Sequence, residues 1–405
     1  MFLPRPTYLS RASLWLPLCL ALLLSAAQCH TPPTPPLPST PTGPAIRIAL
    51  LTPTSGELAT FGRLLRNGSL MAMEEWNRQG GVLGHHLEWV SYDSGCDFET
   101  ARQATRQAID DGLQFIIGPL CSEAAIAAAV EAEAAEILMI SPTATHPLVT
   151  VDPQGQTRPT VFRASHAYPV LGQAAARFAR DSLQVQKAAV FLDTHDPYSR
   201  SLVEAFAHQF QQQGGKVVYR AGYSAGDTDF SESLLAIRQA APEVIYLPAS
   251  TDIVNRVAVQ LNELYTAAES TKPVLLGSDS WESPELDLAA TNGSFFTGQV
   301  GPTNANPAVQ QWTDAYQASY AIEPDTLAVL GYEATLLLLT AIQQAGTLSP
   351  PVIAATLEQG TFDGVTGAIS FDHEHNPRQP IPILQVKDGQ VQVIEGLQPW
   401  QQKTL

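Results

Sequence analysis

Residues 46–51 read IRIALL, an apolar run of strand length, and after them the chain changes to a helical period over residues 61–78. A second apolar run follows at 86–91 and completes a strand–helix–strand unit. A helix between two strands returns the chain to the same end of the sheet, so the strands lie parallel and the crossover is right-handed. This stretch therefore predicts a doubly wound α/β sheet.

The same alternation continues in two series. The first series adds strands at 115–118 and 137–140 and helices at 99–111 and 122–135. The second has strands at 188–192, 216–220, 244–247 and 274–276, with helices starting near Tyr198, Phe230 and Ile253. Two such series predict two doubly wound, Rossmann-like lobes, each with a parallel sheet that is covered on both faces.

Three helices and a hairpin complete the predicted elements. The helices are expected at 308–320, 327–345 and 351–357. The hairpin strands, 383–386 and 391–394, flank Asp388–Gly389, a dipeptide typical of tight turns between antiparallel strands. We expect this hairpin to extend one of the two sheets.

The composition excludes several classes of protein. Apolar residues make up 45% of the 405 residues and charged residues only 15%, whereas disordered chains and coiled coils need far more charge. The formal net charge of −17 repels nucleic acids and anionic membranes. No phosphate loop and no strand-linked G-x-G-x-x-G is found, so no nucleotide cofactor is expected. The expected partner is a small molecule.

The first residues have the pattern of an export signal. Arg5 and Arg11 precede an apolar run at 12–27, which is too short to span a bilayer, and no later run reaches eighteen uninterrupted apolar residues. We expect a signal peptide over residues 1–28. The following segment, 29–44, has seven prolines between His30 and Pro44, and it is expected to be an extended tether.

The processing site has two possible assignments. The small residues 25–27 suit ordinary cleavage and release. Residues 26–29 instead resemble a lipoprotein box, in which Cys29 carries the lipid, although Gln28 is not the usual residue. The protein is expected outside the cytoplasm in either case, and lipid at Cys29 would be its only membrane anchor.

Four cysteines are present, and their number has consequences in an oxidising compartment. Cys19 is removed with the signal peptide. If Cys29 carries lipid, Cys96 and Cys121 are left either to pair or to stay as two buried thiols. A disulfide across their 25-residue separation would stabilise the fold by roughly 3 kcal/mol.

Ligands of open parallel sheets bind beyond the carboxyl ends of the strands. Ser122 opens a helix at such a point, where free N–H groups favour a carboxylate, although a helix N-cap is the simpler role. Thr143 and Thr145 end the next strand and add two hydroxyls. In the second series Asp279 follows a strand, where it would either pair with an ammonium group or close a turn. Tyr198 begins a nearby helix, where it would either face the crevice or pack.

Two other patterns favour metal or catalytic chemistry only weakly. Residues 372–375 read DHEH, but no third ligand cluster accompanies them, so we expect a polar turn before Pro377 and no metal site. A nucleophile at Cys121 or Ser122 lacks an evident base, so no enzymatic activity is expected and a hydrolase using Ser122 is the minor alternative. A sensing ectodomain would need a transmembrane helix that the sequence does not predict.

Five short segments carry a resemblance to a known family. They read TSG at 54–56, NRQGGVLG at 77–84, YDSGCD at 92–97, IGPLCS at 117–122 and ILMISPTATHP at 137–147. In this order they resemble the type I periplasmic binding proteins, and among them the branched-chain amino-acid (leucine/isoleucine/valine) receptors of ABC transporters. The likeness extends from Ile46 to about Ile394.

The resemblance implies a disulfide between Cys96 and Cys121 and a set of ligand-binding residues. Ser122, with the backbone and hydroxyl groups of residues 143–145 (Thr143, Ala144, Thr145), would bind the amino-acid carboxylate, and Asp279 would bind the ammonium group. Aromatic residues around the ligand side chain would be Phe61, Tyr198 and Tyr332. A family tyrosine of the ammonium site falls at Ser250 or Thr251, where no ring is present.

The resemblance also implies the overall organisation, a Venus-flytrap in which crossover hinge segments join the two lobes. Lobe 1 would comprise residues 45–164 plus 302–378, lobe 2 residues 165–301 plus 379–397, and a tail 398–405. Closure of the lobes would bury the ligand, and a membrane permease would bind the closed, monomeric receptor. Because the acid is short and a ring is missing, an amide, a urea-like compound or another small carboxylate is the alternative ligand.

Overall fold

The run that opens the first series forms the second strand from the edge of a five-stranded parallel sheet. This is seen in a computed structural model that describes residues 43–265, 271–301 and 307–398. The strands are β1 Ile46–Thr52, β2 Leu87–Asp93, β3 Phe115–Ile117, β4 Leu138–Ser141 and β5 Val161–Arg163, in the order β2-β1-β3-β4-β5. Between them lie the helices α1 Ala59–Arg78, α2 Phe98–Asp110 and α3 Ser122–Ala134.

The second sheet repeats this strand order. Its elements are α4 Tyr168–Arg177, β6 Lys187–Asp193, α5 Pro197–Gln212, β7 Lys216–Tyr223, α6 Ser231–Ala240, β8 Val244–Tyr246, α7 Thr251–Leu264, β9 Val274–Gly277 and β10 Phe295–Thr297. The parallel strands run β7-β6-β8-β9-β10, so each sheet has the doubly wound order in which the first strand lies inside the second. The predicted α/β fold of two doubly wound lobes is confirmed.

The remaining elements divide between the two sheets. They are α8 Pro307–Tyr320, α9 Thr326–Ala345, α10 Pro350–Gln359, the short pair β11 Phe362–Asp363 and β12 Ala368–Ile369, and the hairpin β13 Ile381–Lys387 and β14 Gln390–Leu397. The hairpin adds antiparallel strands beside β10, as expected. Asp388 and Gly389 both have positive φ, at 52° and 74°, which the tight turn requires.

Each face of the first sheet has its own core. Successive side chains of β1 point to opposite faces, so Ile48 and Leu50 pack into a core with α9 and α10, whereas Ala49 and Leu51 pack with α2 and α3. All of these strand residues are fully buried. The unbroken apolar run of β1 reflects this burial on both faces.

Helices α1 and α9 pack closely because a glycine on each helix faces the backbone of the other. A Cβ on Gly68 would lie 1.9 Å from the Ala328 carbonyl oxygen, and one on Gly331 would lie 2.2 Å from the Leu65 carbonyl oxygen. Among the described helices α9 is the one long and apolar enough to cross a membrane, but 72% of its most apolar window is buried inside the protein. Its length and apolar character therefore fit a core helix.

Along the described chain, the two lobes are connected at three places: by residues 164–167 between β5 and α4, by the stretch between β10 and α8, of which residues 298–301 are described, and by residues 370–380 between β12 and β13. The predicted lobe boundaries fall in these segments, and the assignment of residues to lobes stays a prediction. Residues 302–306, the signal peptide, Cys29, most of the proline-rich tether and all but the first residue of the tail lie outside the described residues.

Glu282, which follows β9, links the lobes next to the second of these segments. Its Oε1 accepts hydrogen bonds from the backbone N–H groups of Gln299 and Gly301, both at 3.2 Å, and its Oε2 accepts one from the hydroxyl of Thr326, at 2.9 Å. Thr326 is the first residue of α9. Burial, and then the negative charge of Asp279, raise the pKa of Glu282 to about 7.

The elements that the sequence did not predict are short or lack a clear period. Strands β5 and β10 have three residues each, and β11 and β12 have two. Helix α4 has ten residues and contains Pro169 in its first turn. So short a segment carries little hydrophobic period of its own, and β3 and β8, which also have three residues, are predicted because they alternate regularly with recognisable helices. The four strands that were missed are defined by their tertiary pairing.

The disulfide implied by the resemblance is present between Cys96 and Cys121, whose Cα atoms are 5.3 Å apart. It joins the loop after β2 to the residue that precedes α3.

Replacing both cysteines by serine should lower the free energy of unfolding by about 3 kcal/mol, because the unfolded chain regains loop entropy. Urea denaturation measures this, with the reduced wild-type protein as the control. An unchanged midpoint would show that the bond does not stabilise the fold.

Substituting Glu282 by Gln should stabilise the protein at pH 8 but not at pH 4. The pKa of this carboxyl is about 7 in the folded protein against an ordinary value of 4.5, so the folded state binds the proton more tightly. The wild-type protein therefore loses stability as the pH rises from 4.5 through 7. The Glu282→Gln variant has no carboxyl group at this position, so it does not lose stability in this way. We expect a difference of about 2 kcal/mol at pH 8, allowing for the partial exposure of the group.

Urea denaturation at both pH values measures this effect. Glu285→Gln is the matched control, because that side chain is exposed and solvent screens its charge. Equal stability of Glu282→Gln and the wild type at pH 8 would contradict the assignment.

Candidate functional site

A cavity of about 280 Å³ lies between residues that follow strands of the two sheets. From the first lobe it is lined by Ser122, at the start of α3, and by Thr145, in the loop after β4. From the second lobe it is lined by Asp196 and Tyr198, which follow β6. The strand-end residues of both lobes thus face one cavity, as expected for parallel sheets.

Ser122 and Thr145 form what we call the hydroxyl edge of the cavity. Cys121 occupies the N-cap position, so Ser122 is the first residue of α3 and not its cap. The Ser122 Oγ accepts hydrogen bonds from the backbone N–H groups of Thr145, at 3.2 Å, and His146, at 3.3 Å. Because the oxygen acts as the acceptor in both bonds, its proton is left to donate to an acceptor such as a carboxylate.

The hydroxyl of Thr143 has a different role from the one that the resemblance implied. It donates to the Leu120 carbonyl oxygen at 2.7 Å and so joins the loop after β4 to the loop before α3. A hydroxyl has one proton, so Thr143 has none left for a ligand carboxylate. The backbone N–H of Ala144 is directed at the Ser141 Oγ, at 3.4 Å, within the same loop.

A buried guanidinium holds this loop from behind. Arg163, the last residue of β5, donates to the carbonyl oxygens of Ala144 (3.1 Å), His146 (2.9 Å) and Pro147 (3.2 Å), and to the Thr150 hydroxyl (2.9 Å). Burial lowers its pKa to about 10, so the side chain is still protonated at neutral pH. Sequence reasoning missed Arg163 because β5 itself was not predicted.

The second lobe places a carboxylate, Asp279, among neutral hydrogen-bond donors. Its Oδ1 accepts from the Tyr198 hydroxyl, and its Oδ2 accepts from Nε2 of Gln299 at 2.8 Å. The Tyr198 hydroxyl also lies 3.1 Å from the Ser278 Oγ. Burial raises the pKa of Asp279 and, more strongly, that of Tyr198.

Within the described parts of the chain, no Lys, Arg or His forms an ion pair with Asp279. A buried carboxylate is costly unless it is paired, so the site favours a cation from outside the protein. Gln299 belongs to a segment that connects the lobes and gave no sequence signal. It was missed for that reason.

Aromatic rings cross the cavity from one lobe to the other. The ring of Tyr168 makes edge-to-face contacts with His146, at 5.4 Å between centroids, and with Tyr198, at 5.9 Å. Burial and the nearby Arg163 lower the pKa of His146, and its Nδ1 accepts the Leu148 N–H at 3.1 Å. His146 is therefore neutral at pH 7. These rings give the cavity a largely apolar wall.

Three further residues predicted at the site lie elsewhere. Phe61, in the first turn of α1, is 44% exposed, and Ser250, which precedes α7, is also exposed. The Tyr332 hydroxyl donates to Glu75 at 2.5 Å, and its ring packs against Trp312 at 5.5 Å. Tyr332 thus belongs to an aromatic cluster of the first lobe and does not line the cavity with Ser122, because α9 turns this face toward α1 and α8.

The DHEH segment forms a turn, as expected, with its histidines on different sides. The ring of His375 is buried and stacks on Phe162 at 3.9 Å, whereas His373 is 87% exposed. Among the residues that the structure describes, no group of three His, Cys, Asp or Glu side chains is placed to hold a metal ion.

The hydrolase alternative finds little support in the geometry. The Ser122 Oγ accepts hydrogen bonds from two backbone N–H groups, and Cys121 is part of the disulfide. Over residues 43–265, 271–301 and 307–398, no histidine or carboxylate side chain hydrogen-bonds to Ser122. The arrangement suits binding of an anion better than activation of a nucleophile.

Comparisons with known proteins agree with this geometry. The leucine-, isoleucine-, valine-, threonine- and alanine-binding protein of Pseudomonas aeruginosa is 27% identical over 334 residues, which cover 81% of this chain and 86% of that protein. The Leu/Ile/Val-binding protein of Escherichia coli is 26% identical, with 81% and 87% covered.

A solved structure extends the likeness to the fold. The leucine-binding protein of Thermotoga maritima superposes with a TM-score of 0.73 at 30% identity, covering 88% of this chain and 99% of that one. A sequence model of the periplasmic binding protein family matches residues 45–390. The two lobes, the cavity between their strand ends and these matches lead to one conclusion: the chain belongs to the periplasmic binding protein family.

Proposed function

We propose that this protein is the extracytoplasmic substrate-binding protein of an ABC transporter and that it captures an amino acid of the branched-chain type. The observation that carries the proposal is a cavity with Ser122 on one side and Tyr198 on the other, where the Tyr198 hydroxyl is bound to the carboxylate of Asp279 behind it. The hydroxyl edge, at the N-terminus of α3, suits a carboxylate, and Asp279, which has only neutral partners among the described residues, suits an ammonium group. The names of the relatives support the same ligand class.

In the proposed complex each part of the ligand has its own neighbours. The Ser122 hydroxyl and the N–H groups of α3 bind the carboxylate, while Asp279 binds the ammonium group beside Tyr198. The apolar side chain lies against the rings of Tyr168 and Tyr198. The connecting segments allow the lobes to close, which removes water and strengthens both charged contacts. No bond is made or broken.

The proposed partner is the permease of the transporter, which would bind the closed, monomeric receptor. We propose residues 45–164 plus 302–378 and residues 165–301 plus 379–397 as the moving lobes. An export signal, and lipid at Cys29 followed by the proline-rich segment, would keep the receptor at the membrane and raise its concentration near the permease.

An amide, a urea-like compound or another small carboxylate is the second candidate ligand. The exposed Ser250 stands where the family tyrosine of the ammonium site is expected, and it has no ring to contact an ammonium group. A panel that includes leucine, valine, aromatic and polar amino acids and their amides distinguishes the candidates. Ligand at a hundred times its Kd adds about 2.7 kcal/mol of stability, which thermal unfolding detects.

Replacing Asp279 by Asn should weaken the binding of L-leucine by about 100-fold, because the ammonium group loses its charged partner in a buried site. Replacing Ser122 by Ala should weaken binding by about tenfold, since a single hydrogen bond to a charged group is lost. Isothermal titration calorimetry at pH 7.5 measures both changes.

Asp287→Asn is the matched control for the first substitution. Its carboxylate lies in the same lobe, is exposed, and accepts backbone N–H groups of the following turn. Leucine binding by Asp279→Asn that equals that of the control would overturn the ammonium assignment.

Lipid attachment is tested separately, by mass spectrometry of the mature protein. We expect a diacylglycerol-modified N-terminus at Cys29 and its loss in Cys29→Ser. A mature N-terminus at Gln28, with Cys29 unmodified, would instead establish release by ordinary cleavage.

A further inference from the structure

The side chain of Gln299 joins two of the segments that connect the lobes. Gln299 lies between β10 and α8, whereas His166 lies between β5 and α4. The Gln299 Oε1 accepts the His166 N–H at 2.8 Å, and its Nε2 donates to the His166 carbonyl oxygen at 3.2 Å. The amide therefore pairs with the backbone of the other segment much as a neighbouring strand would.

The same amide also binds the carboxylate of the proposed ammonium site. The second hydrogen of Nε2 is directed at Oδ2 of Asp279, at 2.8 Å. Both N–H groups of the amide then act as donors. If its oxygen and nitrogen were exchanged, two donors would face each other at the His166 N–H and two acceptors would face each other at Asp279, so the orientation of the amide is fixed. One side chain thus contacts two connecting segments and Asp279 together.

Connecting segments are where a two-lobed protein absorbs the dihedral changes of closure. The backbone N–H of Gln299 is itself bound to Glu282, which also accepts the Thr326 hydroxyl of α9. Hydrogen bonds through Gln299 and Glu282 therefore link Asp279 to two connecting segments and to a helix of the first lobe.

We propose that Gln299 is a positioning residue that couples ammonium recognition to the hinge, by holding the Asp279 carboxylate beside Tyr198, which lines the cavity, while tying two connecting segments together. The inference rests on the proposed function and goes beyond it, since it assigns the coupling to one amide. A ligand ammonium group that binds Asp279 would act on the hinge through the Gln299 side chain.

The charge of Asp279 depends on few groups. The titratable side chains that face it are the phenols of Tyr198 and Tyr246 and the carboxyl of Glu282, none of which is cationic. The imidazole of His166 lies beyond Gln299, and burial lowers its pKa to about 4, so it is neutral at pH 7. The amide of Gln299 and the hydroxyl of Tyr198 are therefore the side-chain donors that favour the ionised form of Asp279.

Two substitutions separate the two contacts of the amide. Gln299→Leu removes both, whereas Gln299→Glu keeps an oxygen for the His166 N–H but places a carboxylate against Asp279. Gln379→Leu is the matched control, because Gln379 is buried in the third connecting segment and its amide binds Thr366 at 3.1 Å, without contact to Asp279.

The first measurement is hydrogen exchange of the His166 amide in the ligand-free protein. We expect faster exchange in Gln299→Leu, near wild-type exchange in Gln299→Glu, and no change in Gln379→Leu.

The second measurement is the Kd of L-leucine between pH 8 and pH 4.5. Both Gln299 variants should bind leucine about 10- to 100-fold more weakly at pH 7, whereas the control should not.

The pH dependence of leucine affinity distinguishes a positioning role of Gln299 from a general loss of structure. The ammonium group needs Asp279 ionised, so affinity falls as the pH drops through the pKa of that carboxyl, and loss of the Gln299 donor should move the fall to higher pH. The pKa of Glu282, about 7, lies within the measured pH range. The profile is therefore repeated in Glu282→Gln, where the shift caused by Gln299→Leu should persist.

The outcomes are distinguishable. Wild-type leucine binding together with an unchanged affinity and pH profile in Gln299→Leu and Gln299→Glu would overturn the coupling alone. Failure of the wild-type protein to bind leucine or any other amino acid would overturn the proposed function and the coupling with it.

Discussion

The proposed ligand site depends on the carboxylate of Asp279. It is half-buried against a tyrosine hydroxyl and a glutamine amide, with no positive charge of the described protein beside it. Neutral donors lower the cost of burying a charge but do not remove it, so the carboxylate gains most from a cation that arrives with the ligand. The proposed recognition of an ammonium group by Asp279 rests on this deficit.

The opposite lobe provides the complementary field. The guanidinium of Arg163 lies behind the loop that carries Thr145, and the N-terminus of α3 faces the cavity at Ser122. The guanidinium carries a full positive charge, and the N-terminus of α3 is the positive end of the helix dipole. In the proposed complex these groups would stabilise the carboxylate of a zwitterion, while Asp279 would stabilise its ammonium group.

Sequence reasoning recovered the repeated strand–helix pattern, the disulfide partners implied by the resemblance, and the residues that directly follow strands, because each has a local signal. Ser122 and Tyr198 line the cavity for that reason, and Tyr198 reaches Asp279. The roles of Thr143 and Tyr332 depend on which partner their hydroxyls find, and no local pattern encodes this. Arg163 and Gln299 lie in a short strand and a connecting segment, where tertiary contacts alone assign a role.

The disulfide lies directly beside the hydroxyl edge, since Cys121 precedes Ser122. Its formation requires an oxidising compartment, whereas thiols stay reduced in the cytosol. A newly synthesised chain therefore lacks this covalent brace at one half of its cleft until it has crossed the membrane. Completion of the covalent structure beside Ser122 is thus coupled to export.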